Sequence, residues 1–389
     1  MSSFIKNFIV FILSIVIVLF LTELISGQVL KFKNKTDLSK LDKQIDSNIA
    51  LYSEYPWASD YFKGIKENPN PGYSFFPYAM WNTKNWNSKL VNIDNNGVRR
   101  TFNQSKNTQN VYRIYMFGGS TMENTEVPDE YTISSHVSKI LNESKLTDEY
   151  RFDVVNFGSG GYSSTQQLIR LLFEAQRDFK DYGKPDLVIF YDGVNDVFSG
   201  IYLEHPGLHD AFDRIKMRYD NINGFYIQKL TELLAEKSKT YQLINDFLNI
   251  NRKEDDRYFE SKVANYKKSA VDTAQIYKNN INIINSLGSQ YGFDSIFFLQ
   301  PQIFISKELS QHDNDIKDRW LLNRPRMARA YEAGYTEFKK LTDANIMIDL
   351  TNTFNSSIKP IYKDFCHVGP YGDSLIAKSM AGHVLKLIK

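Results

Sequence analysis

Arg113-Ile114-Tyr115-Met116-Phe117-Gly118-Gly119-Ser120-Thr121 is the stretch on which the reading of the chain turns. Residues 113–117 are mostly apolar and partly aromatic, and two glycines close the run, as at the end of a short buried strand. A serine follows, with a helix expected to start at Thr121 and run to Glu130. This places the Ser120 hydroxyl in a tight turn at the carboxyl edge of a sheet, where open α/β sheets take their ligands. Alone, the stretch fits two roles. Serine is a favoured helix N-cap, and a serine at such an edge is also a candidate nucleophile.

The same pattern repeats downstream. Strands are expected at Arg113–Phe117, Phe152–Phe157, Leu187–Tyr191, Ser295–Leu299 and Ile346–Leu350. Helical periodicity lies between them, as in Gln166–Phe179 with Leu168, Leu171, Leu172 and Ala175. Strands alternating with helices imply parallel βαβ units, hence an α/β fold: a three-layer α/β/α sandwich of about five parallel strands. The link from Asn195 to Ser295 far exceeds the ~30 residues of a whole βαβ unit. Ile227-Leu230-Leu234 and Tyr241-Ile244-Leu248 have helical spacing, and Val263 to Ile284 extends it towards Gly288 and Gly292. We read residues 200–290 as a helical insertion, either a lid over the sheet edge or an extra packing layer.

Ahead of the sheet, Phe8–Leu21 is an apolar run broken only by Ser14, and it resumes at Leu24-Ile25 after Thr22-Glu23. It reads as an N-terminal transmembrane helix acting as an uncleaved signal anchor, or as a cleaved signal segment, over residues 1–27. Either reading carries the bulk of the chain out of the cytoplasm, to a periplasmic or extracellular location. Lys6 before the run, against Lys31, Lys33 and Lys35 after it, argues mildly for the opposite orientation. Residues 28–110 form a lysine-rich stalk, then an aromatic-rich appendage in which Pro56, Pro69, Pro71 and Pro77 forbid long helices. Its rings, Trp81 and Tyr73 among them, either fill a core or stack on sugar faces. The main domain is then 111–389.

Composition narrows the chemistry. With 389 residues, 42% hydrophobic and 24% charged, the chain is an ordinary globular protein, and a net charge of +2 gives no electrostatic case for nucleic acid. One cysteine, Cys366, excludes an intrachain disulfide. No clustered His, Cys or acidic spacing suggests a metal. Gly158-Ser159-Gly160-Gly161 is a poor dinucleotide loop, because Ser163 stands where its last glycine belongs. No cofactor is therefore expected.

Three further stretches follow strands. Asn156-Phe157-Gly158-Ser159-Gly160-Gly161 offers backbone N–H groups to an oxyanion, and Asp192-Gly193-Val194-Asn195-Asp196 offers the Asn195 amide. Asp192 and Asp196 read as groups that tie down a turn. Near the C-terminus, Asp364-Phe365-Cys366-His367 supplies an imidazole with a carboxylate three residues earlier. Together they fit acyl transfer: Ser120 as nucleophile, His367 as base, Asp364 holding the imidazole, and Ser120 N–H, Gly161 N–H and the Asn195 amide facing the oxyanion. Gly119, Gly160 and Gln300, which follows the fourth strand, are candidates to line the pocket.

These residues resemble the SGNH/GDSL hydrolases. The four blocks of that family stand in order: Gly118-Gly119-Ser120, then Gly161, then Gly193-x-Asn195-Asp196, then Asp364-x-x-His367. The resemblance runs from about Tyr112 to Lys389, with the insertion outside it. It implies a flavodoxin-like sandwich, a Ser120-His367-Asp364 triad, and Gly161 and Asn195 in the oxyanion hole. It implies an esterase acting on O-acyl, chiefly acetyl, esters of a small molecule or glycan. An O-acyltransferase using the same triad, or a weakly active binding protein of a surface-polysaccharide pathway, are the alternatives. One departure is plain: Gly119 stands where the family has aspartate. Gly158 and Gly160 also compete with Gly161 for the second block.

Overall fold

The structure, a computed structural model, describes residues 3–103, 110–249, 266–355 and 357–388. It divides into two compact units: residues 1–48 with 211–264, and residues 49–210 with 265–389.

The larger unit opens with two short antiparallel pairs, β1 (Tyr73–Phe76) with β2 (Met80–Thr83), and β3 (Trp86–Asn87) with β4 (Asn92–Ile93). The main strands follow: β5 (Val111–Gly118), β6 (Arg151–Asn156), β7 (Leu187–Asp192), β8 (Asp294–Leu299) and β9 (Ile348–Asp349). They form one parallel sheet in the order β6-β5-β7-β8-β9. Counted within the sheet this is the 2-1-3-4-5 order of flavodoxin-like folds, and the order reverses beside β5. β7 is buried along its whole length, as expected of a central parallel strand covered on both faces.

Register brings phenylalanines of neighbouring strands together. Phe117 of β5 pairs with Phe190 of β7, which pairs with Phe297 of β8. Their rings stack at 4.9 and 5.3 Å between centroids, and Phe157, just past β6, stacks on Phe117 at 5.1 Å. Cross-strand aromatic pairs of this kind add to sheet stability beyond area burial. Phe117, at the centre of this ladder, stands three residues before Ser120.

Helices cover both faces. Ile133–Asn142 packs on Pro370–Leu387 and β6, while Tyr266–Tyr291 packs on Ser164–Gln176, Pro325–Asp343 and β8. Tyr266–Tyr291 therefore serves the sandwich, with Ala270, Tyr277, Ile281 and Ile284 buried. Its position in sequence had placed it with the insertion. Gly288 lies inside this helix and Gly292 ends it at φ +72°. The last strand is shorter than the apolar run Ile346–Leu350, because β9 is an edge strand that pairs with β8 over two residues only.

The appendage belongs to the same compact unit as the sheet. Arg99 ties it down. This side chain is 1% exposed, its Nη2 lies 3.1 Å from Asp129 Oδ1, and it donates to the Val127 carbonyl at 2.9 Å.

In the smaller unit a single helix runs Ser3–Tyr52 as far as that unit extends, so the expected stalk is helical. Its Ile5–Lys31 segment is long and apolar enough to cross a membrane. Helices Phe212–Asp220, Ile222–Lys237 and Lys239–Asn249 are the other helices of the unit among the described residues.

Candidate active site

β5 ends at Gly118, and the helix that follows covers only Ser120–Glu123. It stops short of the expected Glu130 because Asn124 takes a left-handed conformation, φ +47°. Asparagine tolerates this better than other non-glycine residues, and Pro128 bars a longer helix. Ser120 is the first helical residue and Gly119 is the N-cap, so capping is not what the serine side chain does.

The hydroxyl instead meets the C-terminal loop. Ser120 Oγ lies 2.8 Å from His367 Nε2, and His367 Nδ1 lies 2.7 Å from Asp364 Oδ2. The other Asp364 oxygen accepts the backbone N–H groups of Cys366 and His367, each at 2.8 Å. With the Nδ1 proton given to Asp364, Nε2 is left as the acceptor for the serine hydroxyl. Burial opposes the charge of Asp364, but the His367 hydrogen bond and charge and two backbone N–H groups outweigh it, so its pKa is lowered. Burial also opposes the imidazolium; the Cys366 sulfur and Asp364 oppose that effect, and the His367 pKa rises well above the ordinary value. Burial pushes the Cys366 thiol up to about 11. It is uncharged at neutral pH, so Asp364 is the group that raises His367 there.

Adjacent side chains usually diverge, yet Cys366 Sγ comes within 3.6 Å of His367 Nδ1. Asp364, Cys366 and His367 thus offer three donor atoms within 4.8 Å of one another. Two of these are already hydrogen-bonded to each other and the third is a buried protonated thiol, an arrangement suited to orienting an imidazole.

The second loop resolves which glycine is available. The Gly158 N–H is donated to Asn156 Oδ1 at 2.9 Å, and the Gly160 N–H to Glu123 Oε2 at 3.1 Å. The Ser159 N–H goes to the Gly118 carbonyl at 3.1 Å, and the Tyr162 N–H to the Ser159 carbonyl at 3.1 Å. Gly161 is the amide of this loop outside these bonds, and its φ of +78° suits glycine. Asn195 donates one amide hydrogen to the Tyr162 carbonyl at 3.0 Å, which leaves its second hydrogen for another acceptor.

Gly119 now has a physical reason. A Cβ there would fall onto the Asn195 amide nitrogen. Support for the turn comes instead from farther along the helix. Glu123 is 3% exposed and accepts from both the Thr83 hydroxyl and the Gly160 N–H. Asn124 donates to Asp373 at 2.8 Å, in the first turn of Pro370–Leu387 just beyond His367. Asn156 donates to the Met122 carbonyl at 2.8 Å. These side chains hold the serine turn to the second loop and to the histidine loop. None was legible as a site residue in the sequence.

Gly119, Gly160 and Gln300 are all buried. They shape the site by what packs on them and do not form an exposed lining. The Tyr73 hydroxyl sits where a Cβ of Gly160 would lie, and Trp81 Nε1 donates to the Gly160 carbonyl at 2.8 Å. The wall beside Gly160 and Gly161 therefore comes from the β1–β2 hairpin. Asp192 and Asp196 are buried and bonded. Asp192 accepts from Gln167 and Tyr277, and Asp196 from the Ser164 N–H and hydroxyl, at the start of Ser164–Gln176.

A hydroxyl, an imidazole and a carboxylate in hydrogen-bonded series, beside backbone and side-chain N–H donors at a sheet edge, form the constellation of an acyl-transfer site. The chain belongs to the GDSL-like lipase/acylhydrolase family, whose model matches residues 114–380. Solved structures also match parts of the chain. An acetyl xylan esterase, AlAXEase, is 14% identical with a TM-score of 0.37, the match covering 70% of this chain and 99% of that one. A member of the lipolytic G-D-S-L family from Veillonella parvula DSM 2008 is 9% identical with a TM-score of 0.34, covering 70% and 97%. TesA is 12% identical with a TM-score of 0.33, covering 69% and 95%. No curated protein matches the chain.

Proposed function

We propose that the chain is a membrane-anchored serine esterase acting outside the cytoplasm on O-acetyl esters of a glycan. Ser120 is its nucleophile, His367 its general base and Asp364 the group that orients the imidazole. The observation that carries this reading is the series Ser120 Oγ–His367 Nε2 at 2.8 Å and His367 Nδ1–Asp364 Oδ2 at 2.7 Å.

In this mechanism Ser120 Oγ forms a bond to the ester carbonyl carbon while its proton passes to His367 Nε2. The carbonyl oxygen becomes an oxyanion facing Ser120 N–H, Gly161 N–H and the second Asn195 hydrogen, each donor worth roughly 3 kcal/mol. The tetrahedral intermediate collapses, the C–O bond to the alcohol breaks, and His367 returns its proton to the leaving oxygen. Water then repeats the sequence on the acyl-enzyme, releasing the acid and restoring Ser120.

Two features support the rest of the reading. The apolar segment Ile5–Lys31 supports anchoring by one N-terminal helix. The hairpin beside Gly160 exposes Tyr73, Phe75 and Tyr78, rings whose faces suit sugars. Hydrolysis of p-nitrophenyl acetate by the wild type and by Ser120→Ala tests the mechanism. Loss of at least a thousandfold in kcat is expected, in line with removal of a nucleophile (roughly 10⁶ in a serine protease). Unchanged turnover rules the mechanism out.

A further inference from the structure

Helix Ile222–Lys237 has two unlike sides. Ile222, Tyr226, Ile227, Leu230, Leu233 and Leu234 are between 42% and 64% exposed. At 100° per residue they fall within an arc of about 140°. Beside and across from that arc the polar residues bond one another: Lys229 Nζ, at the arc's edge, lies 2.6 Å from Glu232 Oε2, and Gln228 donates to Glu232 at 3.1 Å. The arc carries polar residues only near its two ends, Asn223 in the first turn and Lys237 in the last, and between them a bare apolar stretch from Tyr226 to Leu234 marks a surface that has a partner.

The partner is indicated inside the same compact unit. The Ser238 hydroxyl, at the end of this helix, donates to Glu23 at 2.9 Å, and the Thr240 N–H does so at 3.0 Å. The Lys239 N–H bonds the same carboxylate. Glu23 lies within the apolar segment Ile5–Lys31, eight residues before its end. Eight helical residues span about 12 Å. A bilayer that receives the segment therefore reaches the end of helix Ile222–Lys237 as well. A helix with a bare apolar stretch from Tyr226 to Leu234, tied at that depth, is held where an element lying in the membrane interface would sit.

We infer that helix Ile222–Lys237 lies in the plane of the membrane with Tyr226, Ile227, Leu230, Leu233 and Leu234 in the acyl boundary, so that the insertion is a second membrane contact. This rests on the anchoring proposed above. It also gives the expected insertion a role other than a lid or a packing layer.

The test uses the full chain in nanodiscs of phosphatidylcholine and phosphatidylglycerol. Single cysteines replace Ile227, Gln228, Leu230, Glu232 and Leu234 in turn, each carrying a bimane label. The native Cys366 is buried, and the unsubstituted chain gives the background. Doxyl-labelled phosphatidylcholine is expected to quench positions 227, 230 and 234 at least threefold more than 228 and 232. Equal quenching at all five positions overturns the inference. So does a face shielded from both lipid doxyl and aqueous iodide, the sign of a second copy or another protein covering it. Intact mass of the extracted chain reports separately whether residues 1–27 are retained. A cleaved chain whose 227/230/234 face is still quenched refutes the anchor alone, and an anchored chain with uniform quenching refutes the interfacial helix alone.

Discussion

The side-chain amide of Asn195 occupies the space that a Cβ on Gly119 would need. The two residues come from different strand ends, β5 and β7, yet share one small volume beside Ser120. The proposed mechanism needs the second hydrogen of that amide for the oxyanion. Gly119→Ala is thus expected to push the amide away and lower kcat by roughly 10²–10³, the effect of losing one oxyanion donor. In an Asn195→Ala background the same change should cost much less, since the displaced group is already gone. Steady-state kinetics of the four proteins in the cycle give the coupling. Additive losses would show that Gly119 acts through something other than Asn195.

Glu123 is expected to act at a distance. It accepts from the Gly160 N–H and the Thr83 hydroxyl in a fully buried setting, where burial raises its pKa despite both bonds and the charge of Arg99. Glu123→Ala leaves two buried donors unpaired, at a cost of about 1–3 kcal/mol for each group. Thermal unfolding should register this as a lower Tm, and kcat should fall as the Gly160-Gly161 loop loosens. Glu123→Gln keeps one carbonyl acceptor and should recover part of both. A Tm unchanged in Glu123→Ala would show that the bonds contribute nothing net.

The pH dependence follows from His367. Its pKa is raised, and the base must be neutral to accept the Ser120 proton. Activity is therefore expected to rise with pH and reach half its plateau above 6.5, the ordinary imidazole value. Below that limb His367 is protonated and cannot act. Asp364→Asn removes the charge that raises it, so the limb should move to lower pH while kcat falls by about 10⁴. A profile of kcat/KM against pH checks both. A limb that stays in place in Asp364→Asn would contradict the assigned cause.

The architecture was largely legible because parallel strands are short apolar runs, and β5, β6, β7 and β8 lie within two residues of where the sequence places them. The candidates Ser120, Gly161 and Asn195 could be singled out for a related reason, since each stands in the turn or helix start that follows a strand, whereas Asp364 and His367 stood out by their spacing in the loop ahead of Pro370–Leu387. What stayed hidden depends on long-range pairing. Nothing local marks Glu123 as the partner of Gly160, or Asn124 as the partner of Asp373, since those contacts span 37 and 249 residues. The short helix after Ser120 could have been read from Asn124 and Pro128, which are ordinary stop signals. Gly119 looked like a loss because the volume it leaves is filled from β7, which no pattern near residue 119 reveals.

The Asn124–Asp373 bond gives a further expectation. Asp373 is fully buried and its pKa lies well above the usual carboxylate value, chiefly through burial, with Asn124 opposing. Asn124 also holds φ +47°. Asn124→Ala should therefore cost stability twice, by an unpaired buried carboxyl and by backbone strain, about 2–4 kcal/mol together. Asn124→Gly relieves the strain and should recover about 1 kcal/mol of it. Chemical denaturation of the three proteins decides, and equal stabilities for Ala and Gly would remove the strain component.

The most direct measurement is the site of attack by a fluorophosphonate, which reacts only with a serine activated by its base. Tandem mass spectrometry of the treated wild-type chain is expected to find one adduct, on Ser120, and to find it strongly reduced in His367→Ala. An unlabelled Ser120 in folded protein, or an adduct formed equally without His367, would contradict the account of this site.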